Sequence, residues 1–298
     1  MKKSLKSVEL FLATGLAVSL VACSSPSTTV EGGETGDAAS TETVHSHGGE
    51  GGEGGEGGEG GEGGEGGEGG EGGEGGSSGN PDVDYMTTLG LMKGHLIVAK
   101  ELRQEGNYEQ AEPHIGHPVE ELYGGLEGQL SERNVPEFKS TLNQLNDLSK
   151  TAPAQPETEE AFEEAVQSVD TAIVAIPESQ RQSPEFIMNV INQMLATAAE
   201  EYQAAIAEGK VVELAEYQDS RGFVLYSEQL YQNIADQMQQ NYPEDHQVIM
   251  ETMAELKAAW PSVTPPETPV KTPSEVQGLV SQIELYSSRL ASSPSTGS

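Results

Sequence analysis

The chain has 298 residues, 49 of them acidic and 15 basic, and a formal net charge of −34 at pH 7. That balance excludes nucleic acid as a partner and favours cations and basic surfaces. With Cys23 as the one cysteine, no disulfide framework can form.

At the start of the chain, Lys2, Lys3 and Lys6 precede an apolar run over residues 10–21 that closes on small residues. This is the layout of a secretory signal over residues 1–22. The run is too short to cross a membrane, which takes roughly 20 apolar residues. Leu20-Val21-Ala22-Cys23 resembles the bacterial lipobox. The resemblance implies cleavage before Cys23, acylation of Cys23 with lipid such as palmitate, and attachment to the cell envelope. Ser24 in place of Asp implies the outer membrane, facing the periplasm or the exterior. The alternative is an ordinary cleaved signal followed by a stray thiol.

Residues 23–80 cannot build a core, because they are Ser, Thr, Gly and Glu with almost nothing apolar. From Gly48 to Glu74 the triplet Gly-Gly-Glu runs nine times. The segment reads as a disordered acidic tether, spanning about 40 Å end to end as a coil. Its glutamates, with His45 and His47, could add weak cation capture.

From Pro81 the apolar spacing is helical and no stretch alternates at period two, so the fold class is all-α, a helical bundle. The spacing predicts helices over residues 85–104, between 108 and 133, after Pro136, over 157–176, from Ser183-Pro184 to Gly209, over 211–240, and from Pro243 to Pro261. Whether the second helix runs through Pro113 and Pro118 or begins at Pro118 is open. The bundle domain is placed at 81–260, a stiff Pro-rich linker at 261–273, a final helix at 274–290 behind the capping box Thr272-Pro273-Ser274-Glu275, and a frayed tail at 291–298.

Punctuation recurs along this region. Glu105-Gly106, Ala111-Glu112 and Pro136-Glu137 are followed in the same order by Glu208-Gly209, Ala215-Glu216 and Pro243-Glu244. The recurrence suggests two duplicated helical units, with any ligand held between them on facing helices.

Polar residues in apolar stripes mark the candidate site. His95 lies in the inward stripe Met92, His95, Ala99, Leu102, and Asp219 in the stripe Val212, Ala215, Asp219, Tyr226, Leu230. The alternative is that each is simply a satisfied core group, with Arg221 neutralising the acid. His114-Ile115-Gly116-His117-Pro118-Val119-Glu120-Glu121 adds two histidines three apart with acids a turn later, a donor set that suits zinc, iron or copper. The candidate metal ligands are His95, His114, His117, Glu120, Glu121 and Asp219, with Glu101 as a further acid.

Gly116-His117-Pro118-Val119-Glu120, together with Glu201-Tyr202 and Glu216-Tyr217-Gln218-Asp219, resembles the imelysin-like and iron-assimilation periplasmic proteins. In that family one residue separates the glycine from the histidine, whereas here Gly116 abuts His117. The resemblance implies metal capture or delivery outside the cytoplasm without catalysis. The chain has no His-Glu-x-x-His, nucleophile elbow or phosphate loop, and it is read as no enzyme. The competing reading is a structural or interaction lipoprotein that docks an envelope protein.

Overall fold

In the computed structural model, residues 77–292 are described, with side chains from 77 to 290. The signal segment, Cys23, nearly all of the tether and residues 293–298 lie outside the described residues.

Helix α1 (Pro81–Gln104) starts at a cap. The Asn80 side chain accepts the Asp82 N–H at 3.0 Å, Pro81 fills the first turn, and Asp82 and Asp84 set negative charge at the positive end of the helix dipole. The expected start near Tyr85 missed this cap because it waited for the first large apolar residue. Val83, Tyr85, Met86, Leu91, Leu96 and Val98 are all buried, so α1 is covered around most of its circumference, with Lys100 left exposed.

The chain turns at Gly106, whose φ of +76° suits a residue without Cβ, and enters α2 (Tyr108–His117). The helix does not end at Pro118. It widens into a π turn (Pro118–Leu122) and continues as α3 (Tyr123–Glu132). Pro118 opens the wider turn, in which the Tyr123 N–H bonds to the Pro118 carbonyl five residues back. Helices α4 (Lys139–Thr151) and α5 (Pro156–Ile173) complete a first set of helices, burying Leu142, Leu145, Phe162 and Val169.

A short α6 (Glu178–Arg181) leads to a second set: α7 (Pro184–Ala205), α8 (Leu214–Gln232), α9 (Ala235–Asn241), α10 (Pro243–Lys257) and α11 (Pro273–Ser292). Ser183 caps α7 as its sequence predicts, accepting the Phe186 N–H. Helix α7 stops at Ala205 rather than Gly209, because a hairpin of β1 (Ile206–Ala207) and β2 (Lys210–Val211) turns on Glu208 and Gly209, both at positive φ. The single helix expected over 211–240 is broken after Gln232 into α8 and α9, and Val212 precedes α8 with 53% exposure instead of facing inward.

Thr272 and Glu275 form the expected reciprocal cap, with Thr272 N–H donating to Glu275 at 2.7 Å and Glu275 N–H to the Thr272 hydroxyl at 3.3 Å. Val276, Val280, Ile283 and Leu290 of α11 join the main core, so this helix is part of the bundle. The Pro-rich stretch before it also packs, burying Val263 against Val98, Leu102 and Ala111. Apart from the two-residue strands, the regular structure of the described residues is helical. The two sets open in the same order: a long helix, a glycine at φ +76° or +74°, and a second helix. They meet where α1 crosses α8. A Cβ on Gly222 would strike the Gly94 carbonyl, so the crossing brings backbone against backbone.

Candidate metal centre

The crossing of α1 and α8 places His95, one residue past Gly94, opposite Asp219, one turn before Gly222. Helix α2 lies against both and contributes His114 and His117, three residues apart on one side. His95 Nδ1 is 2.5 Å and His114 Nδ1 2.7 Å from Asp219 Oδ1, and His117 Nδ1 is 3.2 Å from Oδ2. The side chains of His95 and His114 are fully buried, and that of Asp219 is 1% exposed. His117 forms the rim, at 19% exposure. Its ring stands edge-on to those of His95 and His114, with centroids 5.0 and 6.0 Å away.

Burial alone would raise the Asp219 carboxyl, but the charges of His95 and His114 and the hydrogen bond from His114 hold it well below the usual carboxylate value. Burial alone would lower His117, yet the Asp219 carboxylate carries it above its usual value, against the opposing charge of His95. His117 Nδ1 and Asp219 Oδ2 are close enough to pair electrostatically, but neither has a hydrogen bond of good geometry.

Gln218 fixes what His114 presents. Its amide NH2 donates to the Val263 carbonyl at 3.2 Å and to Gln110 Oε1 at 3.0 Å, so its Oε1 faces His114 Nε2 at 2.8 Å. Nε2 must then carry the proton, and in neutral His114 the Nδ1 lone pair looks at the carboxylate. Two electron-rich atoms 2.7 Å apart require a cation between them. A proton fills a gap of that length, and a metal ion takes its place only with the two atoms further apart. The four residues offer ligand atoms all within 4.8 Å of one another. Ligands about 2.0–2.2 Å from one ion lie about 3–4 Å apart, so the four residues can hold a single metal ion once the 2.5 and 2.7 Å contacts to Asp219 Oδ1, which are hydrogen-bond lengths, open by a few tenths of an ångström. An orphaned Nδ1 and an orphaned carboxylate oxygen in this buried place fit the same group.

Four of the six residues proposed as ligands, His95, His114, His117 and Asp219, are thus brought together. Glu121 stays outside them, its Oε1 3.7 Å from the other nitrogen of His117, Nε2. Glu120 also lies outside them, facing Asn146 at 2.9 Å and Lys150 at 3.6 Å. The π turn is the cause, because its wider register puts residue i+4 rather than i+3 beside His117. Glu101 is also elsewhere, paired with Arg221 at 2.8 and 3.1 Å, so Arg221 does not neutralise Asp219. Gln218 and Gln110 had no role in the reading of donor spacing, which looks only for ligand types. A polar residue directly before a buried acid was the available signal.

Fold and site define an all-α bundle protein with a buried cluster of three histidines and one aspartate. Residues 177–294, which span α6 to α11, match the family described as the iron permease-associated 4-helix bundle domain. The matched segment contains Gln218 and Asp219, while His95, His114 and His117 precede it. No curated protein and no solved structure matches the chain. The match is to a helical bundle domain associated with iron permeases, and it covers less than half of the chain. Among the described residues no helix is long and apolar enough to cross a membrane.

Proposed function

We propose that the chain is a non-catalytic protein of the cell envelope that captures or delivers a transition metal ion, iron, zinc or copper, through His95, His114, His117 and Asp219. The observation that carries this reading is the convergence of three imidazole Nδ1 atoms on one buried carboxylate. Four protein donors suit a holding site, since catalytic metals keep a position open for substrate or water. The family match favours iron as the cargo. Partial exposure of His117 supplies the side from which the ion is exchanged. Cys23 and the acidic tether are proposed to fix the bundle to the membrane by a lipid.

The test is to strip the purified chain with a chelator and dialyse it against iron, zinc and copper ions in turn. Metal per chain and melting temperature are then compared with a His114→Ala, His117→Ala double variant. One ion per chain, absent in the variant and accompanied by a higher melting temperature, is the expected result. Substoichiometric metal that the variant retains overturns the reading. Anchoring is tested separately, by asking whether Cys23→Ala frees the chain from the membrane fraction.

A further inference from the structure

We infer that this site selects a divalent ion and rejects a trivalent one. The inference rests on the metal reading above and narrows it to a class of cargo. Its basis is a count of the charge that can reach the buried donors. With an ion bound through Nδ1, each imidazole is neutral, and Gln218 is a neutral amide that holds His114 Nε2 in its protonated form. Asp219 is therefore the one anionic donor, and the donor set carries a single negative charge.

The neighbouring acids Glu101, Glu120 and Glu121 stay out of the donor set. Glu101 is held by Arg221 through both carboxylate oxygens. Glu120 faces Asn146 and Lys150. Glu121 meets His117 on the Nε2 side, away from the Nδ1 atom that faces Asp219, so it gives the ion no ligand atom and its charge acts only from across the ring. The ring of Phe223, which stands edge-on to His95 at 5.0 Å, adds no charge. A divalent ion leaves one positive charge uncompensated where His95, His114 and Asp219 have no contact with water; a trivalent ion leaves two. Burying the second charge without a partner is strongly unfavourable. The acidic surface draws cations of either charge to the protein, and the buried donors then discriminate between them.

The chelator-stripped full chain is to be incubated separately with Fe2+ under anaerobic conditions, with Zn2+, and with Ga3+ as a redox-inert trivalent probe. Metal per chain is counted after desalting, with a His95→Ala, His114→Ala variant as the measure of metal held by the tether. Above that background, Fe2+ and Zn2+ should each fill the site, with Ga3+ occupancy lower by at least about tenfold. Equal Ga3+ occupancy that disappears in the variant overturns the inference and leaves the metal reading standing. No variant-dependent occupancy by any ion overturns both. Gln218→Glu adds a negative charge against His114, and should raise the ratio of Ga3+ to Zn2+ bound. A ratio that does not move overturns the charge argument.

Discussion

Gly222 of α8 rests against the backbone carbonyl of Gly94 in α1, and this contact sets how near Asp219 comes to His95. No side chain fits between the two backbones. Gly222→Ala should destabilise the fold by about 1–3 kcal/mol, because overpacking outweighs the gain of roughly 1 kcal/mol in helix propensity. Metal affinity should fall with it, since the separation of α1 and α8 opens the site. Urea melts and a zinc titration of the variant check both effects.

Asp219→Asn removes the one anionic donor while keeping the shape of the side chain. The variant should lose the bound ion and about 1–3 kcal/mol of stability, the amide being a poorer acceptor for the imidazoles around it. Equilibrium dialysis with zinc and a denaturant melt measure the two losses. Unchanged zinc binding would show that the histidines alone hold the ion.

The metal-free chain should respond to pH in two windows. His117 binds its proton more tightly in the folded state, its value standing above the usual 6.5. Its contribution is therefore complete below pH 6.5 or so and is lost as the pH rises through the folded value. Asp219 behaves in the opposite sense: its folded value is well below 3.8, so its contribution is present above 3.8 and is lost only as the pH falls through the folded value. Melting temperature should accordingly fall as the pH rises above about 6.5, more in the wild type than in His117→Gln. With zinc present the trend reverses, because the ion displaces protons and binds more tightly at higher pH. Thermal melts across that range, with and without zinc, give both slopes.

Gln218→Leu should lower metal affinity by about 10–100-fold, the usual loss when the partner that orients a histidine ligand is removed. His114 Nε2, Gln110 and the Val263 carbonyl lose their partner together. Competition with a chromophoric chelator measures the change. An unchanged affinity would mean that Gln218 only fills space.

Glu120→Gln should leave metal binding within about twofold of wild type, because its contacts with Asn146 and Lys150 lie at a partly exposed surface. Glu121→Gln should weaken binding modestly through the lost charge beside His117. The pair, measured in one zinc titration, tests the shift in register caused by the π turn.

Most of the architecture was legible in the chain itself. Helical periodicity, the Ser183-Pro184 cap and the Thr272 to Glu275 capping box are local signals, carried by residues within a turn of one another. His95 and Asp219 could be placed inside for the same reason, each lying in an apolar stripe on its own helix. The break after Gln232 and the hairpin at Glu208-Gly209 were not legible, because tertiary packing stops those helices before their periodicity does.

By itself, then, the sequence determined an acidic, all-α chain with histidines and acids at metal-ligand spacing. Only the tertiary structure decided which of them meet. Asp219 is more than a hundred residues from His114, and no local spacing encodes a crossing set by two glycines on separate helices. Glu120 and Glu121 are adjacent, yet the turn that Pro118 opens sends one to Lys150 and leaves the other beside His117. Spacing along one helix defines candidates, and the packing of α1, α2 and α8 selects among them because a buried carboxylate is tolerated only where partners converge on it.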